Sequence, residues 1–165
     1  MEPDYYLTET PRGKSIIMTG GNDKNRPHRK IQKFLHRNKI LTLCASGNQD
    51  VWAANCFFKF NAEDTSIWIS TNKDTRHSII MSNNNIVAGT IYSGSISIFA
   101  KKGLQYRGRV HMLSDDISYT ARQLYLKKFP FLKHRVQSFW EIKLDELKFT
   151  DMTLGKAAKF MWSRL

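Results

Sequence analysis

Residues 40–60 read ILTLCASGNQDVWAANCFFKF, and the period of this stretch decides the fold. Ile40–Ser46 reads as a strand, Gly47-Asn48-Gln49-Asp50 as its turn and Val51–Phe60 as the returning strand. On the second strand Trp52, Ala54, Cys56, Phe58 and Phe60 make one continuous apolar face. Val51, Ala53, Asn55, Phe57 and Lys59 make a second, partly polar one. The turn also sets the two cysteines. With a four-residue loop at 47–50, Cys44 and Cys56 point to opposite faces and cannot bond; a three- or five-residue loop would put them on one face, still out of direct opposition. Two buried, reduced thiols in a cytoplasmic protein are the expectation.

Working outward, His28 to Asn38 has helical spacing, with Ile31, Phe34 and Leu35 on one face. Residues 1–27, with three Pro, three Gly and no clear periodicity, read as an N-terminal arm, mobile unless it docks on the body. Downstream, Thr65–Thr71 reads as a strand and Asp74–Ser82 as a short helix. Ile86–Tyr92 and Ser95–Ala100 read as strands joined through Ser93-Gly94. Leu104–Leu113 alternates, with Leu104, Tyr106, Gly108, Val110 and Met112 on one face and Gln105, Arg107, Arg109 and His111 on the other. Ser114 caps a helix with Asp115 and Asp116 in its first turn, spaced by Ile117, Ala121, Leu124 and Lys128 and stopped by Pro130. Phe139–Thr150 is a long last strand, with Trp140, Ile142 and Leu144 inward and an irregularity at Asp145-Glu146. Residues 154–165 read as a short basic helix through Leu154, Ala158, Met161 and Leu165. Six or seven strands with three or four short helices predict one mainly β domain over 28–165, an antiparallel barrel with helical insertions.

Composition narrows the class. A 165-residue chain with 41% apolar residues buries a core of its own and is not disordered. Its apolar runs are too short for a membrane helix, and Glu2 and Asp4 after Met1 do not open a secretory signal. The net charge of +12 suggests a polyanion partner, but its distribution is uneven. Residues 1–39 hold nine basic and four acidic side chains, residues 40–100 three and four, and residues 101–165 fourteen and six. The excess therefore lies on both flanks of a nearly neutral middle.

Metal chemistry finds no pattern, because the five histidines are scattered and none stands in HxxxH or HExxH spacing. The stretch from Ile67 to Ser78, IWISTNKDTRHS, is more informative. A strand ends in hydroxyl residues and a helix bearing Arg76 and His77 starts soon after, which suits an anion. The plainer reading is a helix start capped by Thr71, Asn72 or Asp74, with Arg76 in water. For Gln105, Arg107, Arg109 and His111 the choice lies between a ligand surface and the solvated side of a barrel strand.

The segment ISTNKDTRHS resembles the strand-to-helix segment of the pyridoxamine 5′-phosphate oxidase-like split barrels. The strings VWAANCFF, VAGTI, GLQYRG and above all FWEIKLDELKFTDMTLG extend that resemblance from His28 to the end, closest to a small group of bacterial members. The resemblance implies a six-stranded antiparallel split β-barrel, a homodimer, and FMN at the subunit interface, with an oxidoreductase activity of unspecified substrate. It further implies that Ala53, Ala54 and Asn55 line the flavin, that Ser70 and Thr71 contact its ring or ribityl chain, that Arg76 and His77 hold its phosphate, and that Gln105 lies against it. The chain departs from the oxidases in three places. Asn55 and Phe60 replace the basic pair of the second strand, His77 replaces a lysine, and Thr150 replaces a tryptophan. These changes remove positive charge from the implied phosphate site and argue against pyridoxamine phosphate oxidation itself. Haem on the same barrel is a further option. The rival reading from another class is a basic β-barrel that binds single-stranded nucleic acid or another polyanion without catalysis.

Overall fold

The decisive hairpin closes on two residues in the left-handed region, Asn48 (φ 49°) and Gln49 (φ 63°). This computed structural model describes residues 5–10, 13–19, 26–93, 101–153 and 158–164. Strand β3 (Ile40–Gly47) pairs antiparallel with β4 (Asp50–Asn61), Gly47 opposite Asp50 and Ser46 opposite Val51. That is the register of the four-residue reading. Cys44 pairs with Ala53 and Cys56 with Leu41, so the thiols do face apart. Cys56 is buried, and burial pushes its thiol up to about 11; Cys44 is only half-buried.

The remaining elements are β1 (Tyr5–Thr10), β2 (Gly13–Thr19), α1 (Arg29–Arg37), β5 (Ser66–Ser70), α2 (Arg76–Asn83), β6 (Ile86–Ser93), β7 (Lys102–Met112), α3 (Asp115–Lys128), a 3-10 turn at Pro130–Leu132, β8 (Phe139–Asp151) and β9 (Ala158–Ser163). Strands run β8-β5-β4-β3-β6-β7, and β7 pairs back onto β8. The result is a closed six-stranded antiparallel barrel, the split-barrel fold that the resemblance implies. Its inside is filled by Leu41, Leu43, Phe58, Phe60, Ile67, Ile69, Val87, Leu104, Tyr106, Ile142 and Leu144, and Ile31, Phe34 and Leu35 of α1 join the same core. Trp52 departs from the apolar face predicted for β4, being 43% exposed at the hairpin end.

Alternation along β8 survives a bulge where the sequence predicts it. Arg107 pairs with Glu146 and Gly108 with Leu144, which leaves Asp145 as the extra residue. Trp140, Ile142 and Leu144 point inward before the bulge, and Leu147 and Phe149 after it. Without the extra residue the second half of the strand would present its polar face to the core.

Helix α3 lies outside the barrel and makes a second core with Trp68, Leu113, Phe129 and Phe139. Its buried face is Ala121 and Tyr125, and Ile117 and Leu124 are exposed, so the face drawn through Ile117 and Leu124 is corrected. An Ala and a Tyr four apart let the helix approach closely while the Tyr125 hydroxyl donates to the Phe57 carbonyl at 3.1 Å.

The C-terminal helix is the clearest correction. Residues 158–163 form β9, antiparallel to β8 with Phe149 opposite Phe160 and Leu147 opposite Trp162. Phe160 and Trp162 are buried while Met161 between them is more exposed, a period of two that overrides the helical spacing. The β8 edge provides backbone partners, and Arg164 fixes the end by donating to the carbonyls of Leu144, Asp64 and Thr65. Strand β2 then pairs parallel with β9, and β1 with β2, so the segment read as an arm adds two strands to this sheet. The strand expected at Ser95–Ala100 and the start of the expected C-terminal helix lie outside the described residues.

Lys128 provides a stability test. Its ammonium donates to the Asn38 carbonyl at 2.7 Å and the Phe58 carbonyl at 3.3 Å, and lies over the Phe58 and Phe129 rings. Burial, with Lys59 and Lys39 nearby, brings its pKa down to about 8. In the unfolded chain the value returns toward 10.5, so above pH 8 the unfolded state binds more protons and stability rises with pH. Cys56 acts oppositely above its unfolded value of 9.0, because its folded value is raised. The urea midpoint is therefore expected to increase from pH 8 to pH 9 and level off beyond, and Lys128→Met to reduce the increase to the part that Lys59, also lowered by burial, contributes. A wild-type midpoint that is flat or falling across that interval contradicts this reading.

Candidate functional site

Strand β5 ends at Ser70, Thr71 follows, and α2 begins at Arg76 with Thr75 as its N-cap, the Ser78 N–H donating to Thr75 Oγ1. The expected helix start is thus moved to Thr75, whose extended backbone (φ −71°, ψ 149°) suits a cap. This turn folds the Thr71 hydroxyl back onto the helix. Thr71 Oγ1 and His77 Nε2 stand 2.7 Å apart, and Thr75 Oγ1 lies 3.1 Å from the same nitrogen. Burial lowers the pKa of His77, so its imidazole is neutral near pH 7.

On the other side, β8 pairs with β5 and brings the residues that precede it alongside. Ser70 pairs with Phe139, Thr71 N–H donates to the Ser138 carbonyl at 3.0 Å, and Gln137 N–H donates to Ser70 Oγ at 2.9 Å. Between these segments and β4 is a cleft of about 220 Å³. Ser70, Thr71 and His77 make its polar wall, Asn55 and Phe57 its floor on β4, and Tyr125, Leu132, Arg135 and Val136 its far side. Asn55 is positioned by Thr42 Oγ1, which donates to its Oδ1 at 3.0 Å.

Four of the residues singled out in the sequence, Asn55, Ser70, Thr71 and His77, therefore share one cleft. Ala53 is exposed on the same outer face of β4, two residues from Asn55, whereas Ala54 packs against the barrel core. Arg76 does not line the cleft. Its Nε and Nη2 donate to the two carboxylate oxygens of Asp50 at 3.0 and 2.6 Å, and its guanidinium lies 4.3 Å from the Trp52 ring centre. The Arg76 bond holds the Asp50 carboxyl below its usual range. Gln105 is exposed on β7, between Thr90 of β6 and Lys148 of β8, and is also outside the cleft. Its neighbours Arg107 and Arg109 pair with Glu146 and Asp145, which fits the solvated side of a strand. Among the described residues no three His, Cys, Asp or Glu side chains gather as metal ligands would, and no helix is long and apolar enough to cross a membrane.

Sequence reading missed Arg135 and the apolar side of the cleft. Arg135 lies in KHRVQS (133–138), counted there only as part of a basic flank. The signal that could have found it is its place just before β8, since pairing of β8 with β5 carries that segment to the Ser70–Thr71 end.

No protein-family model matches the chain. Among solved structures it is similar in fold to a haem-binding protein from Mycobacterium smegmatis (TM-score 0.65, 14% identity, 81% of this chain and 58% of that one). It is also similar to an FAD-binding protein from Mesorhizobium loti (0.59, 14%, 73% and 91%). A Listeria innocua protein named after pyridoxamine 5′-phosphate oxidase gives a TM-score of 0.58 at 14% identity, over 73% of this chain and 94% of that one. These neighbours are split barrels of the pyridoxamine 5′-phosphate oxidase-like kind, and at such identities the likeness is one of fold. In sequence, UPF0306 proteins of Yersinia pestis and Yersinia pseudotuberculosis are 40% identical over 135 residues, spanning 82% of this chain and 92% of theirs. With so much of both chains aligned on the barrel just described, this protein belongs to the UPF0306 family.

Proposed function

We propose that this chain is an FMN-binding split-barrel protein of the cytoplasm, acting as a homodimer with flavin at the subunit interface and serving as a flavin-dependent oxidoreductase. The observation that carries the reading is a hydroxyl, imidazole and guanidinium cleft that opens beside an uncovered strip of small residues. Ser70, Thr71, His77 and Arg135 suit a ribityl and phosphate chain. Ala53 and Asn55, with Thr42, Ala88 and Thr90 on the neighbouring strands, leave room for a flat ring system on the outer face.

Bound flavin supplies hydride or single-electron transfer, and this chain supplies position and environment. Thr71 and Thr75 hold the His77 ring, and Thr42 holds the Asn55 amide, so these polar groups are oriented before a ligand arrives. Haem fits less well in the cleft, because His77 Nε2 is already engaged by two hydroxyls. The homodimer reading rests on Gln105. On one chain it is three strands from Ala53, about 14 Å across the sheet. A second copy is the natural source of a Gln105 that meets flavin bound at Asn55. The cytoplasmic reading rests on two thiols that face apart and cannot close a disulfide within the chain.

FMN at about one hundred times its dissociation constant is expected to stabilise the fold by about 2.7 kcal/mol, which corresponds to a Tm increase of roughly 5–10 °C for a chain of this size. Unchanged melting in saturating FMN, together with unquenched flavin fluorescence, would sink the proposal.

A further inference from the structure

We propose that Arg135, rather than Arg76, supplies the positive charge that binds the FMN phosphate. The inference rests on the flavin reading above and adds the residue that reads the ligand's charged end. Arg76 is the cation the motif suggests, but the Nε and Nη2 edge of its guanidinium is occupied by Asp50 and its plane lies against Trp52. Phosphate at that edge would displace a formed bidentate pair, and at the other edge it would meet a guanidinium whose charge the Asp50 carboxylate already offsets.

Arg135 is placed differently. Among the described residues it makes no side-chain hydrogen bond or ion pair, it lines the cleft with Ser70, Thr71 and His77, and no carboxylate lines that cleft. Its backbone is fixed by the N–H bond to the Leu132 carbonyl at 2.8 Å, and Gln137 and Ser138 next to it are bonded to Ser70 and Thr71. The loop that carries the guanidinium is therefore tied to the strand end that carries the hydroxyls. His77 is neutral near pH 7 and contributes hydrogen bonding without charge. A guanidinium with an open fork, in one cleft with two hydroxyl groups and no carboxylate, is a setting in which a phosphate gains charge-assisted bonds. Arg76 then acts as a clamp on the β3–β4 hairpin end and touches no ligand.

The test compares FMN with riboflavin, which lacks the phosphate, on the full chain by fluorescence titration. Arg135→Ala is expected to weaken FMN about 10- to 100-fold, the loss of a charge-assisted bond, and to leave riboflavin unchanged. Arg135→Lys should recover part of the FMN affinity, and Arg76→Ala should change FMN and riboflavin by the same factor. Retained riboflavin binding serves as the check that the Arg135 variants fold. If wild-type protein binds FMN and Arg135→Ala binds it equally well, the assignment to Arg135 is overturned and the flavin reading stands. Equal weakening of FMN and riboflavin by Arg135→Ala, or an FMN-selective loss in Arg76→Ala instead, overturns it too. Wild-type protein that binds neither compound overturns both readings.

Discussion

Replacing Gly89 by alanine is expected to cost about 3 kcal/mol or more, the upper end of what overpacking a core does, and to lower Tm by roughly 6–12 °C. Gly89 lies on β6 between β3 and β7, opposite Leu43 and Tyr106, with Val87 and Ile91 of the same strand facing the core. The Tyr106 ring passes over it so that its hydroxyl can donate to the Thr42 carbonyl at 3.1 Å. A Cβ at residue 89 would stand 2.5 Å from that hydroxyl oxygen and 2.6 Å from Cζ of the ring, and would overlap the Thr42 carbonyl oxygen. Two of the three obstacles belong to one nearly fully buried phenol and the third to backbone, so no flexible side-chain end can yield. Urea unfolding measures the loss. A variant as stable as wild type would mean that β6 does not sit between β3 and β7 in this register. Gly108→Ala is expected to behave alike, because a Cβ there meets the Lys143 carbonyl at the β8 bulge.

Glu141→Ala should cost about 3 kcal/mol by another route. Its Oε1 accepts from Ser66 Oγ at 2.6 Å and from Trp68 Nε1 at 3.2 Å, and its Oε2 lies 3.2 Å from His111 Nε2. Glu141 is 7% exposed and Ser66 fully buried, so alanine leaves two buried donors without an acceptor, each costing about 1–3 kcal/mol. Glu141→Gln keeps an acceptor for Ser66 and Trp68 and is expected to lose about 1 kcal/mol. Chemical unfolding of the two variants checks the order. Equal losses would show that the carboxylate charge matters here, and that neither side-chain shape nor a neutral acceptor does.

The barrel was legible in the sequence because its strands alternate and its turns are marked. Gly47-Asn48-Gln49-Asp50 set the register that separates the cysteines, and Asp145 was readable as a bulge because the inward set changes parity there. Burial on the outside of the barrel was not legible. Glu141 and Trp68 look like outward residues of β8 and β5, but Trp68 is enclosed in the second core with α3 and Glu141 is buried against Ser66, Trp68 and His111. The C-terminal segment was misread because Leu154, Ala158, Met161 and Leu165 fit a helical period, whereas the free edge of β8 selects the alternation of Phe160 and Trp162. Of the site, the hydroxyl and imidazole wall was local in sequence and could be found there. The partner that claims Arg76 is 26 residues away and the loop that brings Arg135 lies beyond α3, so both depend on strand pairing.

The most direct measurement is the absorption spectrum of the purified chain after incubation with excess FMN and removal of unbound ligand. Flavin binding gives the oxidised isoalloxazine bands, retained at up to one flavin per chain and lost on denaturation. A colourless protein, or one that keeps a haem Soret band and no flavin bands, would contradict it.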